Sequence, residues 1–267
     1  MNKWWQILPF ALIIACTAAQ KESANPKTPH HSSSATNDST PAKVVLLMKL
    51  YKDIVEYKEG TLIFSDKTSL VYDDAKQKSI DELLNNPDVE DMFIWRYKAG
   101  NNQPINREDP GRIRNVDFYK KIYGKSQVEV RKNLSTFVWC PKLVNQTILF
   151  NKKNGALEAL KKVSDELDQH PEWKKYITNI GGTFNWRNIK GTNRLSAHAF
   201  GITIDINTSF SNYWQWDCKC ENEDILLKYK NRIPMELVMI FEKNGFIWGG
   251  KWYHYDTMHF EYRPELL

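Results

Sequence analysis

Arg194-Leu-Ser-Ala-His198-Ala-Phe-Gly201-Ile-Thr-Ile-Asp205-Ile-Asn207 is the stretch on which the reading of this chain turns. From Ile202 onward, isoleucine alternates with Thr203, Asp205 and Asn207. A period of two with one apolar and one polar face predicts a half-buried strand. Asp205 then points away from the core, into whatever cleft lies over the sheet, although aspartate is ordinarily disfavoured in strands. Gly201 and the residues before it form a lead-in loop that sets His198 just ahead of the strand, where a turn can bring it beside Asp205.

A second segment, Asp256-Thr-Met-His259-Phe-Glu261-Tyr262, alternates in the same way. His259 and Glu261 share one face, and Phe260 and Tyr262 the other, which is assigned to the core. If the two strands are neighbours, two imidazoles and a carboxylate converge. That donor set suits zinc held by three protein ligands with the fourth position open to water, whose pKa falls to near 7 on such an ion. Proton transfer needs a further carboxylate, for which Asp256 and Glu261 are the candidates. The competing reading is a structural zinc site with four protein ligands, Glu261 or His254 being the fourth. Tyr253 and Tyr255 around His254 suggest cleft lining instead.

Ser196-x-His198-x-x-Gly201-x-x-x-Asp205, followed far downstream by Asp256-x-x-His259, resembles the zinc D-alanyl-D-alanine carboxypeptidases, the VanY-like cell-wall peptidases, with a branch that includes L-alanyl-D-glutamate endopeptidases. The resemblance covers residues 105–267 and leaves residues 43–104 unexplained. It implies zinc ligands at His198, Asp205 and His259, and a catalytic acid/base at Asp256, where the family usually has Glu or Asp. It also implies a substrate contact at Ser196 and an upstream arginine that stabilises the carbonyl oxygen as charge develops. Arg187 is assigned that role, with Arg194 the competitor and a substrate contact. The implied function is a zinc metallopeptidase hydrolysing peptidoglycan stem peptides as a D-Ala-D-Ala carboxypeptidase. The alternatives are an L-Ala-D-Glu endopeptidase of the same fold, or a cell-wall-binding lipoprotein without turnover.

The rest of the chain reads as α+β: a small antiparallel sheet flanked by helices carries the zinc site, with an α/β extension over residues 43–104 ahead of a peptidase domain over 105–267. Val44 to Leu50 is an apolar run open to helix or strand. Thr61-Leu-Ile-Phe64 and Ser69-Leu-Val-Tyr72 look like short strands, and Ser79-Ile-Asp-Glu82 is a capping box opening a helix. Asp91 to Tyr97 reads as a strand, and Asp109-Pro-Gly-Arg112 as a turn. Gly155 to Leu167 is an amphipathic helix with Leu157, Leu160, Val163 and Leu167 on one face. Pro234 opens another that closes at Gly245, followed by a strand at Phe246-Ile-Trp248. Of Tyr213, Trp214 and Trp216, two are expected in the core and one on a substrate wall.

Composition is that of a globular protein: 267 residues, 42% hydrophobic, 13% aromatic, enough for one large domain with a sizeable core. The net charge of +5 is small for this length and interleaved, which argues against a nucleic-acid partner. Lys3 followed by the apolar run Ile7 to Ala15 predicts an export signal over residues 1–15, too short to span a bilayer. Ile13-Ile-Ala-Cys16 resembles a lipobox, implying a lipidated Cys16, attachment to the membrane through the lipid, and a place in the cell envelope or periplasm. Residues 16–42, rich in Ser, Thr, Asn, Pro and Lys, read as a disordered tether; His30 and His31 within it lack the geometry and third ligand of a metal site. Cys218-Lys-Cys220 is too tightly spaced for an ordinary disulfide; a bond from one of the two to Cys140 is open, and the sequence does not decide the pairing.

Overall fold

The computed structural model describes residues 40–267. The expectations for the signal over 1–15, the lipidated Cys16, the His30–His31 pair and nearly all of the tether lie outside these residues. In chain order the elements are α1 (Ala42–Leu50), β1 (Ile54–Lys58), β2 (Thr61–Phe64), β3 (Ser69–Val71), α2 (Ile80–Asn85), α3 (Val116–Tyr123), α4 (Gln127–Lys132), β4 (Leu134–Trp139) and β5 (Gln146–Asn151). They continue with α5 (Ala156–Leu167), α6 (Lys174–Ile177), β6 (Ile180–Gly182), β7 (Thr203–Asn207), α7 (Trp214–Cys218), α8 (Met235–Glu242), β8 (Phe246–Trp248) and β9 (His259–Tyr262). Mixed helices and small antiparallel sheets make an α+β fold, as the sequence predicts. The sheets are β1-β2-β3, the hairpin β4-β5, and a four-stranded sheet in the order β6-β7-β9-β8.

The four-stranded sheet carries the site. Ile202, Ile204 and Ile206 are fully buried on one side of β7. Phe260 of β9 lies on the same side and stacks on Phe241 of α8 at 3.8 Å between ring centroids. Helix α5 presents Leu157, Leu160, Val163 and Leu167 to the same core, as its periodicity predicts. Burying each such side chain contributes about 1.5–3 kcal/mol, so the apolar half of the alternation fixes which way the polar half faces. A one-residue slip of β7 or β9 would bury the carboxylate and expose the isoleucines.

Residues of the N-terminal segment enter the same core: Val44, Leu47 and Tyr51 lie with Phe118 and Tyr119 of α3. The Tyr51 hydroxyl donates to Glu265 at 2.5 Å. The apolar run at Val44 is thus a helix, and β1, unanticipated, completes a meander with the two expected strands. The capping box at Ser79 and Glu82 is present.

Two expectations are corrected. Asp91 to Tyr97 is not a strand: Glu90–Phe93 is a turn of 3-10 helix. The Asp88 and Asp91 side chains accept from each other's backbone N–H at 3.0 and 2.8 Å. The Lys78 ammonium sits among Asp74, Asp88 and Asp91. Local side-chain bonding of this kind outcompetes a ladder for the backbone. The cysteine expectation also fails: Cys218 bonds Cys220, with Cα atoms 5.2 Å apart, and Cys140 is free and buried. The left-handed backbone of Lys219 (φ 56°) folds the intervening residue back and brings the two sulfurs together.

Candidate metal centre

The polar face of the sheet is assembled by strand register. Asp205 of β7 lies opposite His259 of β9, and Thr203 opposite Glu261. His198 comes from the 3-10 turn Ala197–Phe200, whose N-terminus is capped by the Ser196 hydroxyl accepting from the His198 N–H. Gly201 ends that turn in the left-handed region at φ 65°, and a Cβ there would meet Leu134 at 2.5 Å. The left-handed backbone favours glycine, and a side chain there would also have to displace the Leu134 side-chain tip.

His198 Nε2 lies 3.1 Å from Asp205 Oδ2, and His259 Nδ1 lies 3.0 Å from Asp205 Oδ1. One ligand atom from each of the three residues lies within 4.8 Å of the other two. Each imidazole is oriented by its remaining nitrogen. His198 Nδ1 donates to the Thr183 carbonyl at 3.0 Å, leaving Nε2 for the cluster. His259 Nε2 faces Glu261 Oε2 at 3.5 Å. Orienting partners of this type are what metal-ligating histidines ordinarily carry.

Glu261 is fully buried. The Arg114 guanidinium grips both its oxygens, with Nε at 3.0 Å from each and a second nitrogen at 2.7 Å from Oε2. Arg263 adds a contact at 3.3 Å. Burial raises the Glu261 carboxyl, but Arg114, His259 and Arg263 outweigh this and hold it well below the usual range. Glu261 is therefore neither a rim charge nor a free base. Arg114 and Arg263 are parts of the site that the sequence did not single out. The available signal was the apolar alternation of β9, which puts Glu261 beside His259 on an enclosed face and so demands a cation.

Asp256 approaches through a different device. Its N–H donates to the Gly249 carbonyl at 3.0 Å, and a Cβ on Gly249 would meet the Asp256 carbonyl at 2.6 Å. Its Oδ1 is buried with no hydrogen-bond partner among the described residues. Burial and the charge of Asp205 raise its carboxyl to about 7. For Asp205, burial is outweighed by His198 and His259, and its carboxyl is strongly lowered. Burial lowers His259, but Asp205 and Glu261 win and raise it to about 10.

The arginines divide. Arg187 is exposed, its guanidinium donating to the adjacent Asn188 carbonyl at 3.2 Å. Its own carbonyl accepts from Ser196 N–H, which runs its segment alongside the His198 turn. The Arg194 Nε is buried without a hydrogen-bond partner among the described residues. Desolvation, then the neighbouring Arg112 and Arg114, lower its pKa. His254 stays out of the cluster: its Nδ1 faces Asp109 at 2.7 Å and its Nε2 the Glu223 carbonyl at 2.9 Å. The Asp109–Arg112 turn forms as expected, and Arg112 pairs with Glu223. Trp214 is buried, Tyr213 half-buried and Trp216 59% exposed.

The spacing of His198, Asp205, Asp256 and His259 along the chain is the diagnostic feature. Residues 190–262 match the family model of D-alanyl-D-alanine carboxypeptidase. The matched stretch contains the whole cluster together with Asp256, Arg194 and Ser196, and it supports a carboxypeptidase-type hydrolase. Arg187 and Arg114 lie outside it. No curated protein and no solved structure matches the chain. The donor chemistry fits a metal: two imidazole nitrogens and a carboxylate face one another, and the orphaned Asp256 oxygen beside them awaits a proton-bearing partner.

Proposed function

We propose that this chain is a zinc-dependent peptidase of peptidoglycan stem peptides, acting as a D-Ala-D-Ala carboxypeptidase. The observation that carries the reading is the unpartnered, buried Asp256 oxygen next to the His198–Asp205–His259 cluster. A buried carboxylate oxygen without a donor is costly, and a reacting water is the donor that this site would supply. His198, Asp205 and His259 would hold zinc, which supplies Lewis-acid chemistry for amide hydrolysis. Glu261, fixed by Arg114 and Arg263, keeps the His259 ring turned toward Asp205.

In the chain's share of the chemistry, Asp256 takes a proton from the attacking water as the new carbon–oxygen bond forms. It returns that proton to the amine as the carbon–nitrogen bond breaks, so water's oxygen ends in the new carboxylate. Arg187, exposed and donating to the Asn188 carbonyl, swings to the developing oxyanion. Arg194, whose buried Nε has no hydrogen-bond partner among the described residues, takes the substrate's terminal carboxylate, and Ser196 at the turn contacts the peptide. The lipid on Cys16 would hold the enzyme at the envelope membrane, within reach of its substrate.

Digestion of purified muropeptides with zinc, read by mass spectrometry, tests this. Loss of one terminal alanine, abolished by a chelator and restored by zinc, is expected. Release of L-alanine-bearing fragments instead would make the enzyme an endopeptidase. Unchanged muropeptides with zinc bound would leave a wall-binding protein without turnover.

A further inference from the structure

A second cleft, of about 340 Å³, shares no residue with the metal centre. Five lysines line it: Lys120 and Lys121 from the end of α3, Lys125 from the next turn, Lys132 from the end of α4, and Lys153 beyond β5. Lysines in the last turn of a helix are ordinary complements to its dipole, which accounts for Lys120, Lys121 and Lys132 singly. It does not account for five ammonium groups from four segments facing one space.

The charge balance is more telling than the number. Lys120 is offset by Asp117 at 3.2 Å and Lys153 by Asp53 at 3.0 Å. Lys121 donates to the Thr68 hydroxyl, a neutral partner. Lys125 and Lys132 make no ion pair among the described residues and are exposed. Two acids share the lining, and the Asp66 carboxylate also interacts with the charges of Lys121 and Lys125. Asp66 accepts from the Thr68 N–H at 3.0 Å, and Glu129 from the Lys125 N–H at 2.8 Å. Five ammonium groups against two carboxylates leave the lining with three positive charges in excess. A concave surface with an excess of one sign concentrates its counter-ion, and lysine ammonium groups suit phosphate as point charges.

We infer that this cleft binds a phosphate group, using Lys121, Lys125 and Lys132. Two sources carry that chemistry, a soluble phosphate ester or a phospholipid headgroup. The full-length chain carrying Cys16→Ser, so that no lipid at that position contributes, is titrated with pyrophosphate in a buffer whose ionic strength is held with chloride. The same protein is tested for sedimentation with phosphatidylglycerol vesicles and with phosphatidylcholine vesicles. Lys125→Glu/Lys132→Glu is expected to weaken pyrophosphate binding at least about tenfold, with Lys174→Glu on α6 as the control of equal charge per site. Both lysines are exposed, so the variant's unfolding midpoint should stay near that of the parent. Binding to phosphatidylglycerol alone, lost in the same variant, assigns the phosphate to a headgroup and also supports the inference. No response to either probe, or a response equal in parent and double variant, overturns it.

Discussion

Glu261→Gln separates the work of orienting a metal ligand from that of holding the fold. The substitution keeps volume and one acceptor oxygen while removing the charge. Glu261 is fully buried, with Arg114 contacting both oxygens and Arg263 one. Arg263 retains Glu265 at 2.5 Å, so only Arg114 is left without a carboxylate. Breaking one buried pair costs about 3–5 kcal/mol, and the retained acceptor puts the expected loss at the lower end, about 3 kcal/mol. At about 2–4 °C per kcal/mol for a domain of this size, the melting temperature should fall by roughly 6–12 °C. The second effect is on metal. His259 Nε2 faces Glu261, and loss of such an orienting partner typically lowers metal affinity about 10–100-fold. Zinc competition against a chromophoric chelator, well below the melting point, reads the second effect free of the first. A variant that loses stability but binds zinc within about threefold of the parent would refute the orienting role. His259 would then be held by Asp205 and strand register alone.

Asp256→Asn should leave zinc affinity nearly unchanged while peptide hydrolysis falls about 10²–10⁴-fold; substantial remaining turnover would remove Asp256 from the proton-transfer role. In the chelated protein, stability should fall as pH rises. Asp256 is raised from 3.8 to about 7, so its contribution weakens between those values as the unfolded chain ionises first. His259 is raised from 6.5 to about 10, so its contribution is complete below 6.5 and lost on the way to 10. Urea midpoints at pH 6 and 9, measured with chelator, should show that decline; a higher midpoint at pH 9 contradicts it. Lys78→Met leaves Asp74, Asp88 and Asp91 without their shared ammonium and should cost about 3–5 kcal/mol. The loss should shrink below pH 4 as the carboxylates protonate, and a denaturation series that shows no such recovery would exclude the charge explanation.

The sheet that carries the candidate metal centre was legible because its two strands obey a strict period of two. Ile202, Ile204 and Ile206 declare one face of β7, and Phe260 and Tyr262 one face of β9. Once those faces are set, Asp205 and His259 follow. The cation that serves the buried Glu261 was not legible. Arg114 is 147 positions from Glu261, and nothing local distinguishes it from Arg112, which serves Glu223. The turn at Asp91 was misread for the opposite reason. Its apolar neighbours Met92, Phe93 and Ile94 look strand-like, but paired aspartates and Lys78 capture the backbone first. The Cys218–Cys220 bond was obscured because spacing alone does not reveal a left-handed residue between the two cysteines.

The Tyr51–Glu265 bond has a consequence for the order of assembly. The first helix of the folded region waits for a partner that is synthesised more than two hundred positions later, and β9 with its histidine emerges only just before that partner. Vectorial emergence from a ribosome cannot complete this core piece by piece. Neither the Tyr51–Glu265 bond nor the His198–Asp205–His259 cluster can form until the C-terminal strand has been made, so both arise late.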